Sequence, residues 1–498
     1  MTPAPPRTPV HLHDILDAAA LGHPDAPAVV WQETTLTYRE LATASTSAAR
    51  VLCAHGVRRG SRVLVSAEDG HAVAAAVYAA SRLGAVFSVL HEDVRGAPLV
   101  HVLDDAEATL LVTDDEAAQR TAHERNVPSL RAAELRSGDA PDELPDPGTL
   151  TTDPACLIYT SGTTSLPKAV VGTHQQMLFA LRAIQAELHL RSDDIVYCPL
   201  PLSFDYGLYQ LFLAALSGAT LRLATTAEAG PPLLRSLQRS GATVLAGVPS
   251  VSGTLAWLAK RAPGTPLPRL RLLTNTGADL PARTMAELRE RLPALRIQVM
   301  YGLTECKRAA IMEPDGDLKR PGSCGRALRG TEIVILDDQG AELPPGDIGQ
   351  IAVRGPHVMA GYWRRPELTA QRFWRREGLF PELRTGDYGH LDADGYLYFS
   401  GRRDDLYKER GFRVSCTEVE AAALRIPEVT AAAVLPPADG RPSVLAAVTD
   451  LSKEEVLQRM RQQIEPFKVP RRCVLLPKLP LNGNGKVDRA RLRALAER

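Results

Sequence analysis

The segment Tyr159-Thr-Ser-Gly-Thr-Thr-Ser-Leu-Pro-Lys168 concentrates hydroxyls, one glycine and one ammonium directly after the apolar run Cys156, Leu157, Ile158. A strand leading into such a loop has the donors that wrap a polyphosphate. These are backbone N–H groups, Ser and Thr hydroxyls and a lysine, with Gly162 letting the chain come close. The same composition also describes a solvated Ser/Thr turn. Two familiar nucleotide loops do not fit. A G-x-x-x-x-G-K-[ST] loop needs a second glycine before Lys168 and a hydroxyl after it, where this chain has Ala169. The pair Gly483 and Gly485 lacks the third glycine and the helix of a dinucleotide fingerprint.

Further constellations could carry charge chemistry. Tyr301-Gly-Leu-Thr-Glu305 follows an apolar strand over 296–300, so Glu305 could hold Mg²⁺ on nucleotide phosphates, with Tyr301 stacking on a base. Taken alone, such a glutamate is a surface carboxylate. In Thr385-Gly-Asp387 the carboxylate is an acceptor-only group suited to two ribose hydroxyls, or else an Asx turn. Gly401-Arg-Arg-Asp-Asp405, Lys408 and Gly411-Phe-Arg413 come next. Pro480-Leu-Asn-Gly-Asn-Gly-Lys486-Val-Asp488 places a lysine on a Gly-rich loop, a point charge deliverable to a developing anion or a solvated turn lysine.

These segments, in this order from Tyr159 to Asp488, resemble the adenylate-forming superfamily of acyl-CoA synthetases, amino-acid adenylation domains and beetle luciferases, and the resemblance covers nearly the whole chain. One departure is Ser165, where many members have glycine. The resemblance implies ATP and Mg²⁺ as cofactors. It implies nucleotide binding by Thr160, Ser161, Gly162, Thr163, Thr164 and Lys168, by Gly277, Ala278 and Asp279 along the adenine, by Tyr301, Gly302 and Thr304, and by Asp387 and Arg402 at the ribose. Glu305 is then the metal ligand, and Lys486, Thr163, Lys168 and Glu305 are the catalytic set. Asp404 is the hinge about which the tail turns to withdraw Lys486 and present the face over 408–413.

Such chemistry needs elements that bring distant residues together. Over 11–135, helical patterns alternate with short apolar runs, with strands at 61–66 and 108–113 around a helix at 70–83, implying a parallel sheet covered by helices. Residues 137–153 read as a linker. A second α/β stretch runs from 155 to about 300, with strands at 195–198, 220–223, 243–245 and 270–274. Short alternating strands such as 331–336 and 349–354 fill a β-subdomain over about 322–400. A helix at 417–424, strands at 431–435 and 444–448 and a helix at 453–464 form the tail. The expected fold is α/β: a large N-terminal domain over 1–401, with two αβ-layered sheets plus a small β-subdomain, followed by a small mobile α+β C-terminal domain over 402–498.

Composition narrows the function classes. The 498 residues exceed one ordinary core. Lys+Arg and Asp+Glu both number 58, which argues against nucleic acid or an anionic membrane as partner. Nine of the 58 basic residues are lysines, so those inside motifs stand out. Seven scattered cysteines without C-x-x-C spacing, and a start (Met-Thr-Pro-Ala-Pro-Pro-Arg) without the apolar run of a signal peptide, suggest a reduced cytoplasmic protein. The Ala-rich stretch 71–90, broken by Arg82 and Gly84, suggests a buried helix and not a membrane span.

The substrate is approached through Phe204 and Asp205. Fatty acyl-CoA synthetases resembling this chain commonly carry a histidine motif there, whereas amino-acid enzymes have Phe-Asp, with the Asp binding the ammonium. A buried carboxylate is costly unless paired. By the same resemblance, Phe204, Asp205, Tyr206, Tyr209, Ala246, Thr274, Thr276, Met300, Lys307, Arg308 and Ala309 line the acid pocket. Arg308 could fork a second carboxylate, which with Asp205 suits an acidic or a β-amino acid. Equally, Lys307 and Arg308 could pair with Asp205 and leave a neutral pocket for an acyl chain. The expected activity is ATP-dependent formation of an aminoacyl-adenylate with release of pyrophosphate, then transfer to the phosphopantetheine thiol of a separate acyl or peptidyl carrier protein, as in nonribosomal peptide or polyketide biosynthesis. The alternatives are an acyl-CoA synthetase using CoA and an adenylate-binding protein without turnover.

Overall fold

Continuous apolar runs form the central strands, and Ala-rich helices cover them. The computed structural model describes residues 8–92, 94–136, 144–160, 167–262, 267, 269–375, 381–402, 406–409, 412–438, 441–464, 468–481 and 487–496, with the backbone alone at Thr226, Arg402, Leu406, Lys408, Glu409, Phe412 and Arg413. One sheet has seven strands in the order Gly361–Tyr362, Lys168–Thr173, Pro154–Thr160, Val86–Val89, Arg62–Ser66, Leu110–Thr113 and Ser129–Leu130. From Pro154–Thr160 onward they run parallel. The first two pair antiparallel on its edge. Helix Gly70–Arg82 is apolar on every side and buried along its length, as its alanines and valines require. Its Tyr78 meets Phe212 of helix Asp205–Ser217 edge-on at 5.6 Å between ring centres, so the helices between the sheets share one core.

The second sheet has fourteen strands. Its parallel half contains Arg296–Tyr301, Leu272–Asn275, Val244–Gly247, Ile195–Cys198, Thr220–Leu223 and Pro27–Trp31. The short alternating strands of the expected β-subdomain are hydrogen-bonded into this same sheet. Ala310–Ile311 folds back antiparallel on Met300 and Tyr301, then passes the ladder to Ser323–Ala327 and on to Tyr396–Arg402, Glu382–Leu391, Gly349–Arg354 and Glu332–Leu336.

The tail pairs Leu406–Glu409 with Phe412–Ser415 and builds a three-stranded sheet from Ala431–Leu435, Val444–Val448 and Arg472–Leu475. Helices Cys416–Leu424, Lys453–Met460 and Arg489–Ala496 cover it. It has its own apolar core around Val419, Ile426, Val434, Leu445 and Met460. The second of these helices is shorter than the expected 453–464, because Gln462 and Gln463 donate three residues back and the turn tightens. Helix Asp205–Ser217, the element that carries Asp205, was not separately delimited by the sequence reading.

Candidate active site

Parallel strands end together. Ala246 is registered against Thr274, and Thr274 against Gln298. The carboxyl ends of these three strands therefore bring Ala246, Thr274, Thr276, Met300 and Tyr301 to one edge, where open α/β sheets hold ligands. Gly277, Ala278 and Asp279 continue past Thr276 as an exposed turn, and Asn275 Nδ2 donates to the Ala278 carbonyl at 3.3 Å.

After Tyr301 the chain makes a tight return. Cys306 and Lys307 both donate their N–H to the Leu303 carbonyl, and the Ala309 N–H closes on the Tyr301 carbonyl at 2.9 Å. Lys307 adopts a left-handed backbone with φ +65. Gly302 is needed here, since a Cβ would fall 2.1 Å from the Lys307 carbonyl oxygen. Thr304 and Glu305 stay partly accessible on this return, while Lys307, Arg308 and Ala309 turn inward.

That inward turn assembles a buried polar cluster from the residues expected to meet the acid. Lys307 Nζ lies 2.8 Å from Asp205 Oδ1, with the lysine side chain 0% and the aspartate 7% exposed. Asp205 occupies the first turn of helix Asp205–Ser217, where the helix dipole favours an anion. Lys307 Nζ also lies 5.3 Å from the Tyr209 ring centre. Of the two cations considered as partners for Asp205, only Lys307 takes that role. Arg308 donates Nη1–H to the Lys307 carbonyl at 2.7 Å and stacks over Tyr206 at 4.6 Å. Its Nε is buried without a partner, and no described carboxylate pairs with it. Tyr206 is fixed in turn, its hydroxyl 2.5 Å from Thr274 Oγ1. The Tyr209 hydroxyl is buried without a partner, and Phe204 precedes the helix at 38% exposure. Asp205, Lys307 and Arg308 together leave one positive charge over.

Among the residues expected to hold the nucleotide, the hairpin of Pro154–Thr160 and Lys168–Thr173 registers Thr160 against Lys168 and so fixes both ends of the hydroxyl-rich loop. Lys168 Nζ stands 3.9 Å from the Tyr362 ring centre, and the Tyr362 hydroxyl donates to Glu305 Oε1 at 2.6 Å. Tyr362 reaches this spot because Gly361–Tyr362 pairs with Val170 and Val171, while the Met359 N–H binds the Glu305 carbonyl. The Tyr301 hydroxyl donates to Asp387 Oδ2 at 2.7 Å, and its ring packs against Phe399 at 5.8 Å. Burial, and next the Asp387 carboxylate, push the Tyr301 pKa well up, so its hydroxyl remains a donor. Asp387 is registered against the Arg402 backbone. Ser161, Gly162, Thr163, Thr164, Asp404 and Lys486 lie outside the described residues.

Tyr362 is the residue that sequence reading missed. No spacing ties position 362 to 168 or 305, and a two-residue edge strand leaves no periodic signal.

Residues 16–363 match the AMP-binding enzyme family, and residues 418–486 its AMP-binding enzyme C-terminal domain. The chain belongs to this family of adenylate-forming enzymes. It is an AMP-forming acid–thiol ligase that activates carboxylates with ATP. Similar proteins span the class. The 4-coumarate–CoA ligase-like protein 4 of Oryza sativa subsp. japonica is 32% identical over 93% of this chain and 88% of its own length. The crystal structures of VinN, one of them a complex with L-aspartate, are 40% identical over 78% of this chain and 98% of theirs, with TM-scores of 0.72 and 0.71. The o-succinylbenzoate CoA synthetase of Bacillus subtilis, solved with ATP and magnesium, is 28% identical over 96% of this chain and 99% of its own, with a TM-score of 0.85. No helix among the described residues is long and apolar enough to cross a membrane.

Proposed function

We propose that this enzyme activates a dicarboxylic amino acid, an acidic α- or β-amino acid, and passes it to the phosphopantetheine thiol of a separate carrier protein. The observation that carries this reading is the Arg308 guanidinium, buried beside the Asp205–Lys307 pair with no carboxylate of its own among the described residues. A buried guanidinium calls for a planar anion, and a substrate's second carboxylate is a bidentate match. Asp205 takes the substrate ammonium, and Lys307, 2.8 Å from Asp205 Oδ1, is shared between both carboxylates. The complex of VinN with L-aspartate supports an acidic amino acid as the substrate class.

The reacting carboxylate attacks the α-phosphorus of ATP in line, and pyrophosphate leaves. Two anions meet, so cations must surround them. Lys168, the Thr163 and Thr164 hydroxyls and Lys486 hold that charge. Glu305 suits Mg²⁺, because Tyr362 occupies only Oε1 and no described residue takes the other oxygen. When bound, the ion neutralises phosphate charge. Asp387, held by Tyr301, orients the ribose with Arg402. The tail then turns about Asp404 and withdraws Lys486, and the thiol displaces AMP to give a thioester.

A pyrophosphate-exchange panel of acidic, neutral and β-amino acids and of simple diacids tests the substrate reading. Exchange peaks with an acidic amino acid, Asp205→Ala raises KM for aminated acids alone, and Arg308→Ala removes the preference for a second carboxylate. Exchange only with non-aminated acids would defeat the proposal in favour of an acyl-CoA synthetase. That alternative rests on the same Lys307–Asp205 pair, read as internal neutralisation.

A further inference from the structure

We propose that His11, His13 and Asp14 form a binding site for a divalent transition-metal ion, with zinc the best match. The three residues open the helix Leu12–Gly22, and one ligand atom from each lies within 4.8 Å of the other two. His13 Nε2 is 3.4 Å from Asp14 Oδ1, and His11 Nδ1 is 3.7 Å from Asp14 Oδ2. Tetrahedral zinc with bonds of about 2.1 Å spaces its ligand atoms about 3.4 Å apart, so a small side-chain rotation closes the set.

The far nitrogen of each imidazole is already held, while the two rings lie parallel at 5.5 Å between centres, so one ring must turn for both lone pairs to meet at one ion. His11 Nε2 sits 3.1 Å from the Thr149 carbonyl oxygen, which only accepts, so the proton is on Nε2 and Nδ1 presents its lone pair. His13 Nδ1 lies 2.9 Å from Ser81 Oγ, which has a lone pair for that N–H and leaves Nε2 for a metal. Holding the far nitrogen on a carbonyl or hydroxyl is how proteins orient metal-binding histidines. The nearby cation Arg82 is engaged by Asp17 at 3.0 Å and Ser45 at 3.0 Å, so it offers little opposition. A third histidine, His174, is wholly buried edge-on to His11 at 5.1 Å, its Nδ1 accepting the Leu12 N–H and its Nε2 without a partner.

Helix capping explains only part of this cluster. Asp14 Oδ2 accepts the Val10 and His11 N–H groups at 2.9 and 2.8 Å. The capping box turns the His11 side chain toward the Asp14 N–H, but it asks nothing of the His13 imidazole, which Asp14 Oδ1 faces instead. Two imidazoles and a carboxylate, with a fourth position left for water, suit zinc better than magnesium or calcium. Bound zinc would tie the first helix to Ser81 and to Thr149.

The full chain, stripped with chelator and titrated with zinc by calorimetry, tests the site. The expected result is one zinc per chain and a higher unfolding temperature, with affinity at least ~10-fold weaker in His13→Ala and in His11→Ala. His123→Ala, on an exposed helix position, leaves binding unchanged. Equal zinc affinity in the wild type and both site variants overturns the proposal, as does absence of binding. Should a variant fail to fold, zinc-edge absorption spectroscopy of the unaltered protein decides. Two imidazoles with oxygen support the site, and sulfur ligation or a single imidazole refutes it.

Discussion

Lys307→Met is the most informative perturbation of the acid pocket. The ammonium lies 2.8 Å from Asp205 Oδ1, and neither side chain is appreciably wetted. At an effective dielectric of about 20, the Coulomb attraction at that distance is about 6 kcal/mol. Desolvation of both ions offsets much of it, so the pair contributes little net stability as a unit. Removing one partner differs, because it leaves a bare carboxylate inside the protein and costs about 3–5 kcal/mol. Methionine keeps most of the volume, so the loss reports charge and not a cavity. The double variant Asp205→Asn, Lys307→Met removes both charges and should recover much of that loss, giving a coupling energy of at least ~2 kcal/mol in the cycle. Urea unfolding followed by near-ultraviolet circular dichroism measures the four corners. Each transition is fitted for the N-terminal part alone, since the tail has its own core and need not unfold with it. If Lys307→Met unfolds at the wild-type denaturant concentration, or the cycle shows no coupling, Asp205 has another source of compensation and the charge balance drawn for the pocket fails.

Arg308→Lys keeps the charge but loses the planar fork over Tyr206, so exchange with an acidic amino acid should fall ~10-fold or more in kcat/KM. A wild-type value would show that Arg308 acts only as a distant charge. Tyr362→Phe retains the ring under Lys168 and deletes the 2.6 Å hydrogen bond to Glu305, so the magnesium concentration for half-maximal exchange should rise ~10-fold with little change in the KM for the acid. An unchanged magnesium dependence would remove Glu305 from the metal site. Glu420 in the tail is pushed up to about 7, mainly by burial, against the pull of the Val434 N–H bonded to it. A carboxyl whose folded pKa is raised holds its proton longer folded than unfolded, so the tail should lose up to ~3 kcal/mol as pH climbs from about 4.5 to 7. Glu420→Gln should flatten that slope in pH-dependent unfolding of the full chain, and an identical slope would contradict the assignment.

Much of the architecture was legible in the chain. The strands at 195–198, 220–223, 431–435 and 444–448 lie where short, mostly apolar runs stop at turns, and the helix over 70–82 is buried as its alanines suggest. The motif order fixed the family because loops that bind a polyphosphate need a few residue types at fixed local spacing. That information lies within ten residues and survives reading as a string. The sequence marked the β-subdomain within residues 1–401 by its texture but not its pairing, and the return at Gly302 zips it to the main sheet, since strand pairing joins residues by register and not by proximity in the chain.

The pocket's charge balance was the part that residue order left open. Asp205 and Lys307 are over a hundred positions apart, and nothing local says which of two adjacent cations turns toward the aspartate. The left-handed backbone at Lys307 settles it by aiming that ammonium at Asp205 and sending the Arg308 guanidinium over Tyr206. Tyr362 joins Lys168 and Glu305 only through a two-residue edge pairing. Local sequence thus determined which chemical groups are present and the loops that display them. Which charge neutralises which was decided by the fold alone, because an ion pair depends on distance and burial, and both exist only once remote segments have packed.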